Sequence, residues 1–292
     1  MTLEQLRIFV AVAEREHVTR AASDLNLTQS ATSAAIAALE ARYQTKLFDR
    51  VGRRITLTEA GRLFLVEAKA VLARAASAEL VLADLAGLKA GSLGLAASQT
   101  VGNYWLPKFI HAFQSAYPGL SVRLVMGNTE TVAALVRQGA ADLGFVEGEI
   151  EEPALSVTAV AEDEMALLVP AAHPWSKARP SVADLKSARW VLREPGSGTR
   201  SILAAMLEAQ GLRMSDIDIG LVLPTNEAVR TAVEAGAGVT VLSKLVATNA
   251  LKAGNLIAVD YPVRRRRFFM LSHKEHHVTV AEREFVRMIG AR

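Results

Sequence analysis

Four short polar side chains follow a tight turn near the start of the chain. Gln29, Ser30, Thr32 and Ser33 occupy the first turns of a predicted helix, and Thr28 is placed to cap it. Side chains of this kind both donate and accept hydrogen bonds, which is the chemistry that distinguishes base edges in the major groove of DNA. Recognition helices contact bases mainly from their N-terminal residues. The pattern predicts that these five residues contact DNA, whereas the competing interpretation is a helix whose Ser and Thr simply face water.

A basic hairpin follows this helix. Arg50, Arg53 and Arg54 surround Gly52, and Ile55 begins a short returning strand. Arginines on such a wing can neutralise backbone phosphates or enter the minor groove, with an affinity that falls as salt rises. We predict that these three arginines contact DNA.

Three amphipathic helices are expected to support this surface. Apolar residues spaced by three and four predict them at residues 3–15, 19–25 and 28–43. Thr19 is the expected cap of the second helix. In the third helix, Ala31, Ile36 and Leu39 are predicted to face inward while the polar residues that follow Thr28 face outward.

One long helix is predicted from Thr58 to about Leu88. Thr58 resembles an N-terminal cap, and Gly87 or Gly91 would end the helix. Its apolar residues step by three and four in a heptad-like seam: Leu65, Ala68, Leu72, Ala75, Leu82 and Leu85. Such a helix between two domains cannot bury this seam alone, so we expect dimerisation through it.

The composition limits the class of protein. A chain of 292 residues with 51% hydrophobic and 22% charged residues is expected to form two or three globular cores. A net charge of +3 permits an anionic partner, and the absence of cysteine excludes disulfides and thiolate metal sites. No long apolar run predicts a membrane span, and the start of the chain does not resemble a signal peptide, so a cytoplasmic location is expected.

Beyond Gly91 short apolar runs alternate with helical patterns. Strands are predicted at 93–97, 120–126, 143–146, 166–170, 190–192, 219–223, 239–242 and 256–259. Helices are predicted at 103–116, 130–138, 199–210, 226–235 and 281–289. This alternation indicates parallel sheets flanked by helices. Two α/β subdomains are expected, with the chain crossing between them near residue 161 and returning near residue 262.

Polar side chains cluster at four junctions where a predicted strand meets a helix. The predicted effector-binding residues are Ser98, Gln99, Thr100, Asn128, Thr129, Glu147, Ser197, Thr199, Arg200, Thr225, Asn226 and Glu227. Helix N-termini attract anions, and ligands of open α/β sheets bind at the carboxyl ends of strands. Gly196 and Gly198 would let the backbone approach a ligand, and Arg200 could bind an oxyanion. The alternative is that each Ser, Thr or Asn only caps its helix.

The first sixty residues resemble the winged helix-turn-helix of the LysR-type transcriptional regulators. The matching segments are Leu6–Ala13, Thr19–Ala22, Thr28–Ser33, Leu39–Glu40, Leu47–Arg50 and Leu57–Gly61. The resemblance extends over the whole chain and implies an α/β protein with an N-terminal all-α winged domain, a long linker helix and two Rossmann-like effector subdomains like those of periplasmic binding proteins. It implies a cytoplasmic regulator, usually a homotetramer, that binds and bends promoter DNA and responds to a small metabolite.

The expected domain limits follow from combining the resemblance with the patterns. They are a DNA-binding domain at 1–58, a linker and dimerisation helix at 59–90, and an effector domain at 91–292, in which subdomain I comprises 91–161 and 263–292 and subdomain II comprises 162–262. Within the family, Arg193–Arg200 and Phe145–Gly148 resemble the branch of regulators of carbon fixation and sulfur-oxyanion response. This likeness implies an anionic effector.

Three features depart from the simplest pattern. Ala34 and Ala35 stand where the family often has Arg-Gln, which removes a DNA contact and leaves more of the affinity to the wing. Glu147 is expected either to line the cleft and reject some anions or to hold the two lobes together. The run Arg264–Arg267 is interpreted as a solvated edge or as a salt bridge to the other lobe, because only alternate residues of a strand share a face.

We therefore predict a sequence-specific, ligand-responsive transcription factor rather than an enzyme. Its partners would be double-stranded promoter DNA, a small anion, further copies of itself and possibly RNA polymerase; no catalytic residues, metal, cofactor or membrane partner are predicted. Two alternatives remain: a solute-binding protein, or an α/β enzyme acting on a small anionic metabolite. The sequence specifies neither the effector nor the promoters, nor whether transcription rises or falls.

Overall fold

A computed structural model describes residues 1–51, 54–85, 91–148 and 150–290 of the chain. These residues form two compact units, one made chiefly of residues 1–82 and the other of most of residues 83–292. Among the described residues, no helix combines the length and the apolar character that crossing a membrane requires.

The N-terminal unit is a three-helix domain with a hairpin. Its elements are α1 (Leu3–Arg15), α2 (Val18–Asp24), α3 (Gln29–Tyr43), β1 (Phe48–Val51), β2 (Arg54–Leu57) and α4 (Glu59–Leu85). Thr2 begins α1 with a reciprocal capping box to Gln5. The predicted cap of α2 is wrong: His17 accepts the amide of Arg20 in the role assigned to Thr19.

The third helix lies in a different rotational phase from the one predicted. Thr32 is fully buried and Ala31 is exposed, so the outward placement of Thr32 and the inward placement of Ala31 are both wrong. Counting back from buried Leu39 by three, four and seven residues reaches Ile36, Ala35 and Thr32, which is the period of one helix face. Thr32 Oγ1 donates to the carbonyl oxygen of Thr28 at 3.1 Å, which satisfies the buried hydroxyl.

The hairpin is attached to α3 by one carboxylate. Glu40 Oε1 accepts the backbone amides of Leu47 at 2.7 Å and Phe48 at 3.1 Å. These hydrogen bonds fix the start of β1, which pairs antiparallel with β2 from Phe48–Leu57 to Val51–Arg54. Glu40 therefore fixes the position of the hairpin relative to α3.

The long helix α4 buries part of its seam within its own unit. Thr58 caps it by accepting the amide of Gly61 at 2.9 Å, as predicted. Leu65, Ala68 and Leu72 pack against the core of α1. The expectation that the helix cannot bury its seam within one chain is therefore wrong for these three residues, because the seam faces the winged domain.

The larger unit contains two lobes, and the first is a five-stranded mixed sheet. Lobe I consists of residues 91–163 and 266–290. Its strands are β3 (Gly91–Ser98), β4 (Leu120–Gly127), β5 (Leu143–Glu147), β6 (Leu155–Asp163) and β12 (Arg266–His273). They lie in the order β4-β3-β5-β12-β6 in the sheet. The helices α5 (Pro107–Ala116), α6 (Thr129–Arg137) and α11 (Val280–Ile289) cover the sheet, and residues 101–105 form a π-helical turn.

Lobe II comprises residues 164–265. Its strands are β7 (Met165–Pro170), β8 (Arg189–Arg193), β9 (Asp218–Leu223), β10 (Thr240–Ser243) and β11 (Leu256–Val259). Its α-helices are α7 (Val182–Ser187), α8 (Gly198–Glu208), α9 (Asn226–Glu234) and α10 (Lys244–Lys252). A parallel bridge between Trp190 and Val239 connects the β8–β9 pair to the β10-β7-β11 sheet.

The α/β alternation is confirmed, but the sheet of lobe I is mixed and the β10-β7-β11 sheet of lobe II is antiparallel. Strands β3, β4 and β5 run parallel, whereas β12 is antiparallel to both β5 and β6. The sequence prediction missed β6, β12, α7 and α10. The two strands β6 and β12 carry the chain out of and back into lobe I, so their ends at Asp163 and Arg266 form the hinge between the lobes.

We predict that Glu40→Ala loosens the wing, because two amides lose a charged acceptor. A hydrogen bond to a charged group contributes about 1.5–3 kcal/mol, so amide protection in β1 should fall by about tenfold or more. Native-state hydrogen exchange of Phe48 and its neighbours measures this loss. Glu40→Gln keeps the acceptor oxygen and should retain most of the protection, and equal exchange in all three proteins would contradict the anchoring role.

Candidate functional site

The N-terminus of α3 presents a small polar surface. Gln29 and Ser30 are exposed, and the hydroxyl of Thr28 accepts the amide of Ala31 at 3.2 Å. Ser33 is half-buried and lines a groove of about 460 Å³ with Phe48 and Ile55 of the wing. The structure thus brings the predicted polar residues and the wing together, with the exception of buried Thr32.

Two of the wing arginines, Arg50 and Arg54, lie in the strands of the hairpin. Arg50 pairs with Ile55 and Arg54 with Val51 in the β1–β2 register, while Arg53 lies outside the described residues. Ala34, where the family often has arginine, is exposed on α3. The described part of this face therefore combines hydrogen-bonding side chains on α3 with the backbone of the hairpin.

A second polar cluster lies between the lobes of the larger unit, with Arg266 at its centre. Its guanidinium is buried and donates to Asp163 Oδ2 from Nε at 2.7 Å, to Thr199 Oγ1 from Nη1 at 3.1 Å, and to Thr100 Oγ1 from Nη2 at 3.1 Å. Nη1 also lies 3.4 Å from Glu147 Oε1. One side chain thus connects both hinge strands, the end of β5 and the first turn of α8.

Of the two expectations for residues 264–267, the solvated edge is wrong for Arg266, and its ion pairs are with Asp163 and Glu147 of its own lobe rather than with the other lobe. Its relative exposure is 4%, and both of its carboxylate partners are at 3% or less. Charges buried to this extent require compensation by opposite charge and hydrogen bonds. Because side chains alternate along a strand, Arg265 and Arg267 point outward and Arg266 points inward. The sequence prediction did not consider that the inward arginine would be buried.

A chain of hydrogen bonds extends from Arg266 into lobe II. Thr100 Oγ1 accepts Asn226 Nδ2 at 3.0 Å, and Asn226 Oδ1 accepts Arg193 Nη1 at 2.6 Å. Arg193 also forms a bidentate pair with Glu194 at 2.8 Å for both contacts. Burial alone would raise the pKa of Glu194, but the hydrogen bonds and charge of Arg193 lower it overall, so this carboxyl is held ionised.

Two further contacts join the lobes at the other side of the cluster. Gln99 donates to the carbonyl of Pro224 at 3.0 Å and accepts the amide of Asn226 at 3.1 Å. Tyr104 donates to Glu227 Oε1 at 2.9 Å. Burial, reinforced by the hydrogen bond and the charge of Glu227, raises the pKa of Tyr104 to about 12. The phenol therefore remains a donor at neutral pH.

The predicted junction residues differ in what they do. Thr225 caps α9 by accepting the amide of Ala228 at 3.0 Å, in agreement with the capping alternative. Thr129 donates to the carbonyl of Glu147 at 2.8 Å, and Arg200 Nη1 donates to the carbonyl of Arg193 at 2.8 Å. Ser197 is buried at the start of α8, yet its side chain makes no capping hydrogen bond.

The two glycines before and within the first turn of α8 permit contact between lobes. A Cβ on Gly198 would lie 2.1 Å from the carbonyl oxygen of Glu147, and one on Gly196 would lie 2.6 Å from Glu130 Oε2. Gly196 also has a φ of +81°, which strains any other residue. Close packing of α8 on lobe I is thus one reason for glycine at both positions, and the approach of a ligand to their backbone stays a prediction.

Sequence analysis did not identify Arg266, Asp163 or Arg193 as part of the site. Each lies at the end of a strand, and all are buried. The sequence feature that could have identified them is a charged residue at the end of a strand. In open α/β sheets, ligands bind in a crevice at the carboxyl ends of the strands. In the described part of the chain, no three His, Cys, Asp or Glu side chains converge to hold a metal ion.

We predict that Arg266→Met strongly destabilises the larger unit, because Asp163 and Glu147 would remain buried without their cation. Breaking a buried ion pair costs about 3–5 kcal/mol, which lowers Tm by on the order of 10 °C for a unit of this size. Thermal unfolding followed by circular dichroism measures the shift. Arg265→Gln, which removes a charge from an exposed neighbour, should change Tm little; similar shifts for both variants would refute the hub role.

Two family models match the chain. The model described as "Bacterial regulatory helix-turn-helix protein, lysR family" matches residues 3–62, and the model described as "LysR substrate binding domain" matches residues 86–292. Together they cover the winged domain and both lobes.

Similar proteins agree with this assignment. The chain is 34% identical to the uncharacterized HTH-type transcriptional regulator YeiE of Escherichia coli strain K12, over 98% of this chain and 96% of that protein. It is 35% identical to a probable RuBisCO transcriptional regulator of Porphyra purpurea, over 87% of this chain and 81% of that protein. The second similarity matches the carbon-fixation branch expected from the motifs.

A solved structure shares the fold. The full-length regulator CbnR in complex with its target DNA superposes with a TM-score of 0.72 at 22% identity, covering 99% of each chain. The winged domain, the long helix and the two-lobed α/β domain are thus those of this fold. The chain belongs to the LysR family of transcriptional regulators, which are DNA-binding proteins with an effector-binding domain and not enzymes.

Proposed function

We propose that the regulator recognises its promoter through the exposed start of α3, with Gln29, Ser30 and Ser33 contacting base edges. The observation that carries this assignment is the exposure of Gln29 and Ser30 in the first turn of α3, beside a wing fixed by Glu40. Thr28, whose side chain caps α3, contacts the sugar-phosphate backbone of the DNA. Thr32 takes no part, since its hydroxyl is buried and bonded to Thr28.

The wing arginines supply the less specific part of the affinity. Arg50, Arg53 and Arg54 neutralise phosphates, which releases counterions and makes binding depend on salt. Because Ala34 contributes no charge or hydrogen bond, α3 relies more heavily on this contribution. Each guanidinium is expected to change the salt slope by about 0.9.

A small anion is the proposed effector, bound between the lobes. The observation that supports this placement is that polar groups from both lobes meet in one cluster around Thr100, Thr199 and Asn226. The uncapped N-terminus of α8 adds backbone amides suited to an anion. An effector that binds the closed lobes more tightly increases the population of the closed state by as much as its affinities for the two states differ. Closing the lobes in turn alters the spacing of the winged domains in the assembly.

Assembly and location complete the proposal. Leu63, Val66 and Val71 of α4 are exposed at 69%, 45% and 42%, and they offer an apolar face for a second copy of the helix. A homodimer or homotetramer in the cytoplasm, engaging RNA polymerase at the promoter, would use this helix as its connector. The expected limits of the three regions are residues 1–58, 59–90 and 91–292.

Gln29→Ala should weaken binding to a specific duplex by about 1–3 kcal/mol while sparing random DNA, because it removes a base contact. Arg53→Ala should weaken both and reduce the salt slope by about 0.9. Fluorescence anisotropy against a duplex selected from a random library by the wild-type protein, at several salt concentrations, separates the two effects. Ala37→Ser, on the exposed middle of α3, is the matched control. Unchanged binding of both variants would refute the placement of the reading surface.

A thermal-shift screen of the full chain against phosphates, sulfur oxyanions and small carboxylates tests the effector site. At least one anion should raise Tm, and that shift should fall by at least half in Ser197→Ala/Thr199→Val, which removes two hydroxyls from the start of α8. Ser215→Ala, an exposed serine remote from the cluster, should leave the shift intact. An anion that stabilises all three proteins equally binds elsewhere and contradicts the interlobe placement.

A further inference from the structure

Two buried polar atoms in the cluster lack a hydrogen-bond partner. Among the buried side-chain atoms of the described residues, those without one are Ser98 Oγ, Glu147 Oε2 and Arg230 Nε. Arg230 still has an ion-pair partner, since its Nε lies 3.0 Å from Glu234 Oε1. The two others both lie at the carboxyl ends of strands β3 and β5, which are parallel neighbours.

None of the described residues donates a hydrogen bond to the second carboxylate oxygen of Glu147. Arg266 lies 3.4 Å from Oε1 and directs its shorter hydrogen bonds to Asp163, Thr199 and Thr100. Thr129 binds the main-chain carbonyl of Glu147 and not its carboxylate. A buried carboxylate oxygen without a hydrogen-bond donor bears its full desolvation penalty, so this position strongly favours a ligand that donates a hydrogen bond.

The charges of the arginines nearest Glu147 are already balanced by protein carboxylates. Three arginines (Arg193, Arg200 and Arg266) face three carboxylates (Glu147, Asp163 and Glu194), and every arginine donates to a protein acceptor. An anion placed here is bound by neutral donors, namely the hydroxyl of Ser98 and the first amides of α8. A fully ionised anion would also put a lone pair against Glu147, which is repulsive.

We propose that the cleft selects an oxyanion that keeps an acidic proton, whose hydroxyl donates to Glu147 Oε2 while its remaining oxygens accept from Ser98 Oγ and the start of α8. Glu147 is then the residue that determines specificity: it accepts the ligand's proton in a hydrogen bond and excludes anions that carry none. This inference rests on the proposed placement of the effector between the lobes.

Phosphate and sulfate test whether the cleft selects anions that carry a proton. The two anions have nearly the same shape, and only phosphate retains a proton at neutral pH. Hydrogensulfite serves as a smaller proton-bearing probe. Isothermal titration of the full chain at one pH and ionic strength should show at least tenfold preference of the wild type for phosphate or hydrogensulfite over sulfate. Glu147→Gln offers an amide donor in place of the acceptor and should reduce this preference at least tenfold.

Two further variants control for folding and placement. Glu162→Gln removes an exposed carboxylate from the same hinge strand as Asp163 and should keep the wild-type preference. Ser98→Ala, which keeps Glu147 and Arg266, should weaken the proton-bearing anion at least fivefold without admitting sulfate. Unfolding temperatures measured without anion identify any variant that fails to fold, in which case the Ser98→Ala result and the wild-type preference decide.

The outcomes distinguish a failure of the selection by Glu147 from a failure of the proposed placement of the effector between the lobes. A wild type that binds sulfate as well as phosphate, with affinity sensitive to Ser98→Ala, places the anion in the cleft and overturns the selection by Glu147. Anion binding insensitive to both Ser98→Ala and Glu147→Gln overturns the placement itself. If the wild type binds none of the probes, the unpaired atoms serve only buried water and the inference is likewise overturned.

Discussion

The larger unit depends on one buried guanidinium. Arg266 is the first residue of β12, opposite Asp163 at the last position of β6, so its charge lies on the two chain segments that join the lobes. Asp163 also accepts Ser243 Oγ of lobe II at 2.7 Å, and Arg266 reaches Thr199 of α8. Desolvating these charges is tolerable only because each has several partners. The arrangement that satisfies them is therefore also the arrangement that holds the lobes together.

The chemistry of the cleft follows from this balance. The arginines near the lobe interface each donate to a protein carboxylate, amide or carbonyl, so the proposed anion would have to bind to hydroxyls and helix amides. Recognition by neutral donors depends on the geometry and number of donors rather than on net charge. Discrimination among small anions then depends on whether each protein group finds a complementary donor or acceptor.

Much of the fold could be predicted from local patterns, and the failures have physical reasons. Caps and apolar spacing located α1, α3, α9 and α11 to within a residue or two, because both signals are local. The phase of α3 was wrong because Ala31 is apolar and Thr32 is polar, although the period counted from Leu39 places Thr32 inside. Strand β6 was missed because its residues alternate in exposure over an edge of the sheet and form no continuous apolar run.

The site was only half predictable for a different reason. Ser98, Thr100, Thr199 and Asn226 follow strands, so the topology of an α/β sheet gathers them. Arg266 and Asp163 meet only because two strands that are a hundred residues apart pair in one register. Long-range pairing of this kind leaves no trace in a short window of sequence. The two roles expected of Glu147 stay predictions; the structure shows that one of its carboxylate oxygens faces Arg266 and that the other is unpaired.

The contact between Gly198 and Glu147 has a consequence for how finely closure can be adjusted. The backbone of α8 lies so near the end of β5 that even a single methyl group would overlap a carbonyl oxygen. A side chain at residue 198 would hold α8 away from the end of β5, and its size would set the smallest distance between the two lobes. Alanine, serine and valine at residue 198 would thus move α8 away from β5 by increasing amounts and hold the two lobes progressively further apart.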